Sequence, residues 1–256
     1  MYTVKSINYQ KNFKISKIKK EILELSVEIK PKSLKIIEDV LIKNYAKIGM
    51  TSIPRLINTI KSCMYVVENN IPGDFVECGT WRGANGIVAK KVFEQMGSKK
   101  KVWLFDTFEG MTAPTNIDVN SITKKKAKTK YLKTKKKTHS EWCYASLDDV
   151  KKNFKSSNLN INSVIFVKGK VEETLKIKKN LPNKISVLRL DTDWYKSTKL
   201  ELEILYPILS KKGVLIIDDY GHWEGSRKAV NKYFSKTNSK PMLNIIDYTC
   251  RSGIKI

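Results

Sequence analysis

The 256-residue chain lacks the features of secreted, membrane-spanning and zinc-binding proteins. It has no run of about 18 apolar residues, which excludes a membrane-spanning helix. Its first twenty residues are polar and rich in lysine, so they do not resemble a secretory signal peptide. The cysteines form no Cys-x-x-Cys pair, which argues against zinc and predicts reduced thiols in a cytoplasmic protein. They are Cys63, Cys78, Cys143 and Cys250.

Arginine is scarce although the chain is strongly basic. The formal net charge is +24, but only five of the 49 basic residues are arginines, and lysines occur in every segment. Proteins that bind nucleic acid usually contact phosphates and bases through arginine, because its planar group donates two parallel hydrogen bonds. We therefore expect that nucleic acid is not a partner.

The densest basic stretch runs from Lys124 to Lys137 and reads KKKAKTKYLKTKKK. Such charge runs are usually solvated, so we predict a surface loop over residues 120–138. The alternative is a clamp for an acidic substrate or a phosphorylated sugar.

The spacing of apolar residues divides the chain into two parts. Helical spacing within 15–25, 34–41 and 53–69, with Pro31 between the first two stretches, predicts a helical extension or lid over 1–70. In residues 71–256, short apolar strands alternate with helices, which predicts an α/β domain with a mostly parallel sheet. The last two strands should form an antiparallel hairpin at one edge. The predicted strands are 74–78, 102–105, 163–167, 185–190, 213–217, 243–248 and 253–256, and a helix is predicted over 171–179.

A glycine-bearing turn follows the first strand and reads ECGTWRGANG over residues 77–86. Its spacing differs from the G-x-G-x-x-G motif of dinucleotide-binding proteins. Asp106 ends the second strand, where a carboxylate can accept hydrogen bonds from both hydroxyls of a ribose. The turn and the acid together predict a nucleoside-bearing cofactor, either a nicotinamide dinucleotide or S-adenosylmethionine. Alternatively, Asp106 only caps a helix.

Acidic residues end two neighbouring strands. Asp191 and Asp193 follow the strand 185–190, and Asp218 and Asp219 follow the strand 213–217. The carboxyl ends of adjacent parallel strands lie within about 5 Å of each other. Carboxylates this close repel unless a hard cation lies between them, so the pattern predicts a Mg²⁺ site. The alternative is a set of unrelated caps, and Asp193 by itself is expected to cap the following helix.

With these motifs, the chain resembles the macrocin-type O-methyltransferases, which methylate deoxysugar hydroxyls on macrolides and related glycosides. The resemblance covers about residues 45 to 235. It rests on GDFVECG with WRG, FDTFEG, GKVEETL, LDTDWYKST and IDDY, which occur in this order.

The resemblance implies a Rossmann-like class I fold with a seven-stranded sheet, and S-adenosylmethionine as the cofactor. Its methionine part would lie on Gly79, Gly83 and Asn85, its ribose on Asp106 beside Thr107 and Phe108, and its adenine near Gly169 and Lys170. Glu77 and Asp191 are also assigned to the cofactor site. The implied metal ligands are Asp191, Asp218 and Asp219. The segment 50–52 would form a lid or a dimer contact. Asn85 and Lys170 depart from the family pattern, which has a small residue and an aromatic residue at these positions.

The predicted reaction is Mg²⁺-dependent transfer of a methyl group to a sugar hydroxyl, with Asp191 as the base. His222 is a second candidate for the base. The alternatives are a nucleic-acid methyltransferase, another small-molecule methyltransferase, a nicotinamide oxidoreductase and a non-catalytic binding module. The absence of G-x-G-x-x-G argues against the oxidoreductase. A homodimer is expected.

Overall fold

The computed structural model describes residues 45–237 and 239–256. The helical stretches predicted within 15–25 and 34–41, and the break at Pro31, lie outside the described residues. The predicted division of the chain at residue 70 stays a prediction. No helix in the described ranges is long and apolar enough to cross a membrane.

The described strands form one seven-stranded sheet in the spatial order β3-β2-β1-β4-β5-β7-β6. The strands β1 to β5 pair with one another in parallel, whereas β7 is antiparallel to both β5 and β6. This confirms the predicted Rossmann-like sheet with an antiparallel C-terminal hairpin. The strands are β1 (Asp74–Cys78), β2 (Val102–Asp106), β3 (Val164–Lys168), β4 (Ile185–Leu190), β5 (Leu209–Ile217), β6 (Asn244–Ile245) and β7 (Arg251–Ile254).

Eight helices in the described residues accompany the sheet. They are α1 (Tyr45–Ile48), α2 (Ile53–Glu68), α3 (Ala84–Gln95), α4 (Ala127–Thr134), α5 (Leu147–Ser156), α6 (Val171–Thr174), α7 (Tyr195–Ile208) and α8 (Glu224–Phe234). The start of α2 is fixed by its sequence: Ser52 is the N-cap, its hydroxyl accepts from the N–H of Arg55 at 3.3 Å, and a proline stands in the first turn.

The sheet has an apolar core on each face, because successive side chains of a strand point to opposite sides. Phe75 of β1 packs in one core with residues of α2, α3 and α5, including Leu56, Phe93 and Phe154. The next residue, Val76, packs in the other core with residues of α6, α7 and α8. Helix α2 therefore belongs to the same core as the sheet.

Strand order places the functional end of the sheet between β1 and β4. The chain passes from β1 outward to β3 and then returns to β4 on the other side of β1. Ligands of open α/β sheets bind at such a reversal, beyond the carboxyl ends of the strands. The aspartates assigned from the sequence end β2 or follow β4 and β5 at this end, and Glu77 lies in the last part of β1.

Two predictions of local structure were wrong. The lysine-rich segment contains helix α4, because Ala127 is buried and Tyr131 packs with it against a tryptophan cluster. The helix predicted over 171–179 ends at Thr174, and a separate short 3₁₀ turn covers Lys178–Asn180.

We expect Phe93→Ala to lower the free energy of unfolding by about 3–5 kcal/mol, because Phe93 is fully buried between α3 and the sheet. Gln95→Ala, two residues further along the same helix and exposed, should change it by less than about 0.5 kcal/mol. Denaturant unfolding of both variants checks this. Equal midpoints would contradict the packing described for α3.

Candidate active site

Strands β1 and β4 approach each other so closely at the turn that only glycine fits at residue 79. Gly79 has φ +81°, and a Cβ there would lie 1.9 Å from the backbone oxygen of Asp191. The N–H of Asp191 donates to the carbonyl of Cys78 at 2.8 Å, and the N–H of Gly79 donates to Phe105 at 2.8 Å. The turn is therefore fixed to both neighbouring strands.

Asp106 holds the other side of this turn. Its carboxylate accepts hydrogen bonds from the backbone N–H groups of Thr80 at 2.7 Å, Trp81 at 2.9 Å and Phe108 at 2.8 Å. Burial raises the pKa of Asp106, and these hydrogen bonds oppose that rise. Asp106 therefore positions the glycine-bearing turn, and its contact with a ribose stays a prediction.

A buried guanidinium joins the ends of three strands. Arg189 of β4 donates to Glu77 of β1 at 3.0 Å, to Asp191 at 2.8 Å and to Asp218 at 2.6 Å. Its side chain is 1% exposed. The side-chain amide of Asn85 also contacts Arg189. Its oxygen accepts from Nε of Arg189 at 3.1 Å when its nitrogen donates to the hydroxyl of Thr59 at 2.9 Å. Sequence reasoning missed Arg189, although a charged residue inside the apolar run VLRL was the signal.

Asp218 is enclosed by two arginines. Besides Arg189, it accepts from Nη1 of Arg55 at 2.6 Å, and Arg55 also contacts Asp247 at 2.7 Å. Asp247 in turn accepts from the hydroxyl of Ser52. Burial would raise the pKa of Asp247, but the N–H of Cys250 and the guanidinium of Arg55 lower it to about 2. The start of α2 is thus joined to the acids and to the C-terminal hairpin.

Three other carboxylates converge at the ends of β4 and β5. Oxygens of Asp191, Asp193 and Asp219 all lie within 4.8 Å of one another, and Oδ2 of Asp219 is buried without a hydrogen-bond partner among the described residues. Burial and neighbouring acids raise the pKa values of Asp191 and Asp219. Oxygen donors at this spacing suit a hard divalent cation. The sequence prediction included Asp191 and Asp219 but had Asp218 in place of Asp193.

Asp193 does not cap the following helix, and that prediction was wrong. The N-cap of α7 is Trp194, and the first N–H of the helix, from Tyr195, donates to Asp118 at 2.8 Å. Asp118 is fully buried and also accepts from Thr115. The carboxylate that serves this helix end therefore comes from a loop far away in the sequence, which leaves Asp193 near Asp191 and Asp219.

One cavity of about 590 Å³ at the carboxyl ends of the strands is lined by the two arginines and four of the acids: Arg55, Arg189, Asp191, Asp193, Asp218 and Asp219. The residues assigned to the cofactor that line it are Glu77, Gly79, Asn85, Asp106, Thr107, Gly169 and Asp191. The structure places the other three elsewhere. Gly83 packs against α5, the ring of Phe108 is buried in the core, and Lys170 is exposed beside Glu173. Their contact with the cofactor stays a prediction. Gly49 and Met50 also line the cavity, so the segment expected to form a lid borders it.

Part of the cavity wall is formed by a cluster of tryptophans. Trp142, Trp194 and Trp223 pack with ring centroids 5.1–6.1 Å apart, and the first and last of these line the cavity. His222 lines it too, but its ring nitrogens already contact Asn120 at 3.0 Å and Tyr248 at 2.9 Å. Burial and Arg55 lower the pKa of His222, which favours the neutral ring.

Comparison with known proteins identifies the family. The family model described as macrocin O-methyltransferase matches residues 8–252. The chain belongs to this family. It is an S-adenosylmethionine-dependent O-methyltransferase, as the resemblance to that family predicted.

The chain is similar to curated O-methyltransferases of Streptomyces and Micromonospora and to a solved structure. The chain is 32% identical over 202 residues to the 8-demethyl-8-(2,3-dimethoxy-alpha-L-rhamnosyl)-tetracenomycin-C 4'-O-methyltransferase of Streptomyces olivaceus, covering 78% of this chain and 72% of the relative. It is 29% identical to the mycinamicin III 3''-O-methyltransferase of Micromonospora griseorubida, covering 74% and 70%. The solved structure of the O-methyltransferase NovP is similar with a TM-score of 0.69 at 28% identity, covering 81% and 82%.

The close approach at Gly79 predicts a loss of cofactor affinity on substitution. Gly79→Ala should weaken binding of S-adenosylhomocysteine at least tenfold, or about 1.4 kcal/mol, because the new Cβ displaces the backbone of Asp191. Gly97→Ala is the matched control, since Gly97 also has positive φ but no atom within 4 Å of the added Cβ. Calorimetric titration checks both. Wild-type affinity in folded Gly79→Ala would contradict the assignment of this turn.

Proposed function

We propose that this O-methyltransferase moves the methyl group of S-adenosylmethionine to a hydroxyl of a sugar or glycoside, with a divalent cation at the acids. The observation that carries the proposal is that one cavity contains both the Gly79 turn and the carboxylates of Asp191, Asp193 and Asp219. The printed activities of the relatives support a glycoside acceptor, because the tetracenomycin enzyme is named for methylating a rhamnosyl group.

The cation is proposed to bind Asp191 and Asp219. The buried Oδ2 of Asp219, which lacks a partner among the described residues, fits a ligand atom. The spacing of the side chains favours Asp193 as the third donor, whereas the family resemblance implies Asp218, which two arginines contact. A bound Mg²⁺ acts as a Lewis acid that lowers the pKa of an acceptor hydroxyl and orients it.

Asp191 is proposed as the group that takes the hydroxyl proton. Its side chain is 26% exposed at the cavity, whereas that of Asp218 is 6% exposed between two guanidinium groups. Arg189 fixes Asp191 by a hydrogen bond of 2.8 Å, so the carboxylate keeps its orientation. Methyl transfer requires the acceptor oxygen and the methyl group to be held in line, and that positioning accounts for much of the rate.

The test of the proposed function has two stages. Calorimetry should first show binding of S-adenosylhomocysteine to the full chain. A panel of sugars and glycosides is then incubated with S-adenosylmethionine, with Mg²⁺ or with EDTA, and methylated products are measured by mass spectrometry. We expect turnover with Mg²⁺ and none with EDTA. Equal turnover in EDTA would refute the role of the cation, and failure to bind S-adenosylhomocysteine would refute the cofactor assignment.

The metal ligands can be identified by binding of Mn²⁺, followed by electron paramagnetic resonance. We expect Asp219→Asn to weaken the binding of Mn²⁺ by more than the roughly 10–100-fold loss that is typical when a residue only orients a metal ligand. Asp148→Asn is the control, because Asp148 is exposed on α5. Wild-type affinity in Asp219→Asn would contradict the site.

The same assay on Asp193→Asn and Asp218→Asn separates the two candidate third ligands. Because the carboxylate of Asp193 lies with those of Asp191 and Asp219, we expect the larger loss for Asp193→Asn. A larger loss for Asp218→Asn would show that Asp218 leaves its arginines to bind the cation.

A further inference from the structure

Three lysines at the cavity lack the acidic partners that its arginines have. The basic residues that line the cavity are Arg55, Arg189, Lys125, Lys126 and Lys130. Both arginines form ion pairs with acids of the site. None of the three lysines forms an ion pair with any residue in the described ranges. Two nearby lysines that do not line the cavity are paired, since Lys124 contacts Glu224 and Lys136 contacts Glu141.

The backbone that carries these lysines is fixed to the cavity wall. The N–H of Asn120 donates to the carbonyl of Lys125 at 2.9 Å, and the N–H of Ala127 donates to Asp118 at 3.0 Å. Bridges pair Val119 with Lys126 and Asn120 with Trp223, next to α8. The segment is therefore not a free loop, and its lysines are held at the cavity.

Lys130 is further positioned by an aromatic ring. Its Nζ lies 4.2 Å from the ring centroid of Trp142, which packs against Trp194 and Trp223. The ring attracts the ammonium group without supplying a negative counter-charge, so the positive charge stays available to a ligand. Lys130 lines the same cavity as Asp191, Asp193 and Asp219, so the lysines and the acids border one space.

Three like charges at one opening repel each other, and an anion between them removes that repulsion. Phosphate suits this arrangement because it is multiply charged and lysine binds it as a point charge. The same cavity contains the acids, so a ligand with an anionic end and a hydroxyl end matches its charge pattern.

Resting on the proposed function, we infer that the acceptor is a phosphorylated sugar, in which Lys125, Lys126 and Lys130 bind the phosphate while the acids face the methylated hydroxyl. The phosphate is either that of a simple sugar phosphate or that of a nucleotide-diphosphate sugar. These two sources share the chemistry that the lysines recognise.

The test measures binding of three probes to the full chain by calorimetry in metal-free buffer. The probes are glucose 1-phosphate, UDP-glucose and the neutral methyl glucoside. The test variant is Lys125→Gln, Lys126→Gln and Lys130→Gln combined. Its matched control combines Lys128→Gln, Lys133→Gln and Lys137→Gln, which remove the same charge from exposed lysines of the same segment that do not line the cavity. Binding of S-adenosylhomocysteine is measured on every variant.

We expect at least one phosphate probe to bind the wild type at least tenfold more tightly than methyl glucoside. That affinity should fall at least tenfold in the test variant and stay within about twofold of wild type in the control. Tighter binding of UDP-glucose would assign a nucleotide-linked acceptor, and tighter binding of glucose 1-phosphate a simple sugar phosphate.

Two outcomes would overturn the inference. In the first, the wild type binds S-adenosylhomocysteine but binds neither phosphate probe more tightly than methyl glucoside. In the second, the test and control variants lose equal affinity for the phosphate probe. Failure to bind S-adenosylhomocysteine would instead count against the proposed function.

Discussion

The site depends on one buried positive charge, the guanidinium group of Arg189. It contacts Glu77, Asp191 and Asp218, and so joins the carboxyl ends of β1, β4 and β5. Several carboxylates at one edge of a sheet repel each other, and burial makes each of them costly to ionise. A buried arginine with hydrogen bonds to all three compensates for that repulsion, whereas removing one partner of such a network typically costs about 3–5 kcal/mol.

The arginine also explains how the two ends of the cavity are related. Because β1 and β4 are adjacent, the turn that approaches Asp191 at Gly79 lies beside the acids that follow β4. Arg55 extends the same network to the start of α2 and, through Asp247, to the loop before β7. Hydrogen bonds and ion pairs therefore join the glycine-bearing turn, the acids and the segment near Met50. The lysines of residues 125–130 stand outside this network, which leaves their charge available to a ligand.

Much of the fold could be predicted from the sequence, because apolar strands alternate with amphipathic helices. Each strand or helix is recognised from the spacing of apolar residues within its own short segment. The positions of Asp191 and Asp219 followed from strand ends in the same way. The side chains and backbone groups that each acid contacts could not be predicted from the sequence. Asp218 contacts Arg55, 163 residues away along the chain, and Asp118 rather than Asp193 serves the start of α7. Helix α4 was missed because lysines dominate its composition, while packing of Ala127 and Tyr131 on a tryptophan cluster stabilises it.

The most direct test of this account is the free energy of unfolding of Arg189→Met, measured by denaturant titration. We predict a loss of about 3–5 kcal/mol, or a chain that does not fold, because the variant leaves buried carboxylates without their cation. Arg82→Met is the control, since Arg82 is exposed and lies over the Trp81 ring, and it should lose less than about 1 kcal/mol. Equal stability of Arg189→Met and the wild type would contradict the central place given to this arginine.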